Sequence, residues 1–103
     1  MRLELLVVIS HAGFRLKFAR ELTKAVVKAG AEAGIVFLGN SVFDIRQRVS
    51  PSLDDLRGVK LMAHRMSMTE RGISQSEIAD RISVIDDAAL LDLLMMSEKS
   101  LCI

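Results

Sequence analysis

The chain is predicted to fold as an α/β protein, a three-layer α/β/α sandwich around a five-stranded parallel sheet. Three observations carry that expectation. Short apolar runs, rich in β-branched side chains and almost without polar alternation, recur as strands buried on both faces require. Stretches of helical period separate them. The chain has 103 residues, half of them apolar, and a mean hydropathy of +0.33, which suits one domain over 1–103 and leaves no room for a second.

Leu3 to Ile9 reads as the first strand, closed by Ser10-His11-Ala12-Gly13. From Phe14 the period changes: Phe14, Phe18, Leu22, Ala25, Val26 and Ala29 share one helical face, with Arg15, Lys17, Arg20, Glu21, Lys24 and Lys28 opposite. Gly30 supplies the stop. A second apolar run within Ala31 to Leu38 completes a β-α-β unit, for which a right-handed crossover is expected. Ser41 to Val49 is predicted as a short helix capped by Asn40 or Ser41 and ended by Pro51, with a further turn at Leu53 to Leu56. Gly58 to His64 is the third strand, and a polar loop from His64 to Gly72 follows it. Ser74 to Asp80 is predicted helical, Ser74 and Glu77 forming a capping box. Arg81 to Ile85 is the fourth strand. Asp86 and Asp87 offer N-caps for a helix from Ala88 to Glu98, and Leu101 to Ile103 is the fifth strand.

Charge and composition exclude several function classes. Fourteen Lys and Arg against thirteen Asp and Glu leave a net charge of +1, without the broad basic field of a nucleic-acid binder. The four aromatics are all Phe, so stacking platforms for single strands are missing. The apolar run at the start is far shorter than the roughly 20 residues that span a bilayer, so neither membrane anchoring nor export is expected. One cysteine, Cys102, permits no intramolecular disulfide and fits a reducing cytoplasm; in a terminal strand away from basic groups it is expected to be a buried, inert thiol.

A domain of about 100 residues buries only roughly 60–65% of the surface of its unfolded chain. With this apolar content, some greasy surface is left outside, and a homo-oligomer is expected to cover it. Leu90, Leu91, Leu93, Leu94, Met95 and Met96 circle the last helix, which points to one side on the sheet and another on a neighbouring chain. Ala88 and Ala89 allow close approach there. Met66 and Met68 alternate with polar residues in the predicted loop, suiting either an adaptable interface or a tuck beneath the loop into the core.

Ligands of parallel sheets bind beyond the strand carboxyl ends, which selects His11, Arg15, Asn40, His64, Arg65 and Ser67 as candidate binding residues. Ser10 to Arg15 precede a helix N-terminus, a setting that favours an anion, although no dinucleotide or P-loop fingerprint is present. His11 and His64 alone make an incomplete metal site that Asp44 or Asp86 would have to complete, so no metal and no cofactor are expected. Ser67 near His64 forms two members of a nucleophilic triad, with no orienting acid evident.

Several stretches resemble the DsrE/DsrF-like family, which includes sulfur-relay subunits of the TusBCD type. They are Lys28-Ala29-Gly30-Ala31-Glu32, Phe37-Leu38-Gly39-Asn40-Ser41-Val42, Gly58 to His64, and Ser67 to Ile73 with its Glu70-Arg71-Gly72-Ile73 ending. A final helix and the strand Lys99 to Ile103 complete the match over nearly the whole chain. The resemblance implies a five-stranded α/β/α sandwich and assembly as a trimer, or as a hexamer, from copies or related subunits. Active members carry a persulfide on a cysteine at the end of the third strand, and His64 matches that position here. Imidazole cannot hold a persulfide. The resemblance therefore implies an accessory, non-catalytic relative; a sulfur carrier using Cys102 and a small-anion or nucleotide binder at the strand ends stand beside it.

Overall fold

The computed structural model describes residues 3–47, 53 and 55–103. Five parallel strands lie in the order β4-β3-β2-β1-β5, where β1 is Leu5–Ile9, β2 Ala33–Phe37, β3 Val59–His64, β4 Ser83–Ile85 and β5 Lys99–Cys102. The helices are α1 (Arg15–Lys28), α2 (Arg65–Glu70) and α3 (Asp87–Met96), with 3-10 segments at Gly39–Ile45 and Gln75–Glu77. The predicted α/β sandwich and its all-parallel sheet are what the chain forms.

Strand alternation sends successive side chains to opposite faces. Val7, Ile35 and Leu61 lie in register on one face, and Val8, Val36 and Met62 on the other. The first face is covered by Leu16 and Ala19 of α1, Met68 of α2, and Val42 and Ile45 of the first 3-10 segment. The second face has Leu3, Leu6, Val8, Val36 and Met62, and only Leu90 and Leu93 of α3 reach it. No residue of α3 is fully buried.

The helix α1 buries a different stripe from the one expected. Leu16, Ala19 and Thr23 point inward, whereas Phe14 is 83% and Phe18 54% exposed. Phe14 is the N-cap residue, so the apolar row starting from it runs one step around the helix from the true inner face. Thr23, passed over because it is polar, is buried because its hydroxyl donates to the Ala19 carbonyl at 2.8 Å. The helix ends as predicted at Gly30, whose φ of +91° lets Ala31 N–H bond back to Val26 and Gly30 N–H to Val27.

Other boundaries move for local reasons. The expected helix from Ser41 is a 3-10 segment starting at Gly39, because the Ser41 hydroxyl donates to the carbonyls of Ile9 and Leu38, drawing the turn onto the end of β1; Val49 lies outside the described residues. The turn at 53–56 retains a Leu56 N–H to Leu53 carbonyl bond. The predicted loop after β3 is instead α2, capped by the His64 side chain, and its two methionines diverge: Met68 enters the core and Met66 faces outward. Ser74 and Glu77 form the expected capping box, but over a single 3-10 turn. Arg81 does not extend β4; its guanidinium reaches the carbonyls of Leu53, Leu56 and Val59.

On the outside of α1, Arg20 and Lys24 pair with Asp55 at 2.6 and 3.4 Å. The Arg20 hydrogen bond holds the Asp55 carboxyl below its usual range. This contribution to stability is present above the ordinary carboxylate range and is lost as pH falls through the lowered value.

Gly34 marks the tightest point of the second face. A Cβ there would lie 2.8 Å from Leu3 Cδ1, 3.1 Å from Met62 Cε and 3.3 Å from the Lys60 carbonyl. Gly34→Val is expected to lower stability by about 1–3 kcal/mol, with Gly34→Ala milder, read from urea unfolding midpoints.

Candidate functional site

All five strands end on one edge, and their carboxyl ends are stitched together there. Ser10 N–H donates to the Ile103 carbonyl at 3.0 Å and Leu38 N–H to the Ile9 carbonyl at 2.9 Å. Gly39 turns the chain at a φ of +59°, where a Cβ would sit 3.0 Å from the Ser10 carbonyl. Glycine therefore permits the close approach of two strand ends.

His64 is the centre of this edge. Its residue is 9% exposed, and both ring nitrogens are engaged. Nδ1 lies 3.3 Å from the Ser67 N–H, which can only donate, so Nδ1 is an acceptor and the ring proton sits on Nε2. The Ser67 hydroxyl donates to the same Nδ1 at 2.8 Å and accepts from Gly39 N–H at 2.9 Å. Nε2–H then points at Asp87 Oδ1, 2.5 Å away. The imidazole thus caps α2 on one side and ties the first residue of α3 to the sheet on the other.

Asp87, Ser67 and His64 together form a serine–histidine–acid line, and the acid is the member that sequence reasoning missed. Asp87 and Asp86 were equivalent as helix caps. In the structure Asp86 Oδ1 takes the cap by accepting from Ala89 N–H at 2.9 Å, which leaves the Asp87 carboxylate for His64. Ser67 is buried, its hydroxyl accepting from Gly39 N–H and donating to His64, so the line ties α2 and α3 to the strand ends.

The other candidates divide into two groups. Asn40 belongs to the edge: its Oδ1 accepts from Arg71 Nε at 2.9 Å, and Arg71 Nη1 donates to the Ser67 carbonyl at 3.1 Å. Arg71, read in the sequence only as part of a turn, is therefore the cation of the strand ends. His11 is exposed and bonded through Nδ1 to its neighbour Ser10 at 2.9 Å. Arg15 is half-buried on α1 and Arg65 exposed on α2. Ahead of α1, the Gly13 N–H donates to Asp44 Oδ2 at 2.9 Å, so a carboxylate of the chain itself sits where an anion was considered. Among the described residues, no group of three or more His, Cys, Asp or Glu side chains comes together to hold a metal ion.

The thiol differs from expectation. Cys102 is exposed rather than buried, because β5 is an edge strand and Cys102, opposite Val8, lies on the sheet face that α3 covers incompletely. No helix is long and apolar enough to cross a membrane among the described residues.

Removing the imidazole unties both helices at once. His64→Ala is expected to cost about 1–3 kcal/mol, from the lost α2 cap and the unpaired Ser67 hydroxyl. Asp87→Asn should cost less, and chemical unfolding of both variants checks the order.

No family model matches the chain, and no curated protein matches it in sequence. Among solved structures, a crystal structure of the YchN protein from E. coli superposes with a TM-score of 0.80 over 97% of this chain and 99% of that one, at 14% identity. With its five-stranded parallel sheet and this superposition, the chain shares the fold of that YchN protein.

Proposed function

We propose that this chain is a non-catalytic, oligomeric DsrE-like protein, an accessory subunit of cytoplasmic sulfur-relay chemistry rather than a sulfur carrier. The observation that supports the reading is His64, at the end of the third strand. An imidazole there cannot carry a persulfide, and both its nitrogens serve the packing of α2 and α3. The assembly part rests on the apolar surface of α3, where Leu91, Leu94, Met95 and Met96 are exposed. Copies of the chain in a trimer, or in a hexamer, or related subunits, would cover it.

The exposed Cys102 makes the carrier alternative testable. Cyanide-labile sulfur on the protein as purified is expected at background level, equal in the wild type and in Cys102→Ser. Stoichiometric sulfur that disappears in Cys102→Ser would replace the accessory role with sulfur transfer through that thiol.

A second reading is favoured by Arg71. Its guanidinium is held across Asn40 and the Ser67 carbonyl at the strand ends, beside the glycine turn at Gly39. A small oxyanion would be the matching ligand. Phosphate, sulfate or a nucleotide at millimolar concentration should then raise the unfolding temperature of the wild type and not of Arg71→Gln; a flat response in both removes this reading.

A further inference from the structure

The chain exposes two apolar helix faces, on opposite sides of the sheet and with opposite charge. On the first side, α1 presents Phe14 and Phe18, and Arg15–Lys28 carries five cations against the single carboxylate of Glu21. On the second side, α3 presents Leu91, Leu94 and Met95, and Asp86–Glu98 carries four carboxylates and no cation. Within one chain the sheet keeps these faces apart, since α1 packs on the Val7 face and α3 on the Val8 face.

We infer that the α1 face of one copy docks on the α3 face of the next, so that the chain assembles head to tail through a heterologous contact. The inference deepens the assembly reading above and depends on it. Charge decides the pairing. Stacking α3 on its own twofold mate sets carboxylates against carboxylates, and α1 on α1 sets cations against cations; α1 on α3 brings opposite rims around two apolar centres. Shape agrees. Beside α3 lies a groove of about 670 Å³ whose lining includes Met62, Ile85, Leu93 and Met96, where a phenylalanine side chain would sit among thioethers; Lys60 and Arg81 line it too, Arg81 with its guanidinium already bonded to the carbonyls of Leu53, Leu56 and Val59. Phe18 projects from α1 with Lys17 beside it, and Asp92 stands on the groove wall. A threefold ring needs this kind of contact, because an isologous patch can join copies only in pairs.

The test uses two variants with one face spoiled in each, Phe18→Glu on α1 and Met95→Lys on α3, both at exposed positions where the fold is kept; far-UV circular dichroism checks this. Sedimentation of the wild type should give a mass above the 11.4 kDa protomer. Each variant alone should fall apart, half-assembling at about tenfold higher concentration or more. Mixed in equal amounts they should associate as pairs, since the intact α1 of Met95→Lys meets the intact α3 of Phe18→Glu and both remaining faces are spoiled. Raising salt should weaken the wild-type assembly. A variant that stays assembled alone, a mixture that stays apart, or wild-type assembly strengthened by salt would overturn the head-to-tail contact and leave the assembly reading standing. A wild type that is a protomer at all concentrations would remove both.

Discussion

A parallel sheet of apolar strands must be covered on both faces, and this chain has ample cover for only one. A five-stranded sheet is roughly 19 Å wide at the usual strand spacing. A ten-residue helix is about 15 Å long. On the Val7 face, α1, α2 and a 3-10 segment share the work and bury Leu16, Val42, Ile45 and Met68 completely or nearly so. On the Val8 face α3 works alone, and it can spare only Leu90 and Leu93 for the sheet. The groove beside α3 and its exposed leucines and methionines follow from that imbalance, as does the glycine at position 34, where Leu3 folds over the sheet in place of a second helix.

A helix with so little burial of its own needs another hold, and His64 provides it. The last residue of β3 reaches α2 through Nδ1 and α3 through Nε2, so one side chain links the two helices beside the packing of Leu90 and Leu93 on the sheet. The same arrangement sets a serine, a histidine and an acid in line, each member tied to a helix or a strand end. The hydroxyl is buried and accepts from Gly39 N–H, while Arg71 Nη1 donates to the carbonyl of the same residue. Arg71 also keeps a solvent-facing side at this edge, half-buried with Asn40 and the Ser67 carbonyl as its anchors and Glu70 Oε1 3.6 Å away.

The fold was legible because the strands are nearly continuous apolar runs, which only a two-sided sheet uses, and because Gly30 and the Ser74–Glu77 pair carry their own local instructions. The inner face of α1 was not, since its inward row contains Thr23, whose self-satisfied hydroxyl reads as polar, while the tempting row of Phe14 and Phe18 faces water. At the site, the position of His64 and its neighbourhood to Ser67 could be seen three residues apart. Asp87 and Arg71 could not, because each reaches its partner across elements separated by 23 and 31 residues, and nothing local distinguishes Asp87 from Asp86. Helix α2 was missed for a related reason: its cap is an imidazole, outside the usual set of serine, threonine, aspartate and asparagine.

Net charge was the least informative summary of this sequence. A value of +1 hides a local imbalance: α1 carries five of the fourteen cations against one carboxylate, and Asp86–Glu98 four of the thirteen carboxylates and no cation. Such separation produces no field that would attract a polyanion from a distance, and two of the α1 cations are already tied to Asp55. It matters at contact range, where an apolar patch with a rim of one sign discriminates between surfaces that are equally greasy. In α3 an apolar surface coincides with carboxylates, and the sheet keeps that surface away from α1 of the same chain. The insufficiency of one helix as a cover and the carboxylates of α3 meet at one place, and the proposed head-to-tail contact rests on both: the apolar surface that α3 leaves open lies beside the acidic groups that would select its cover.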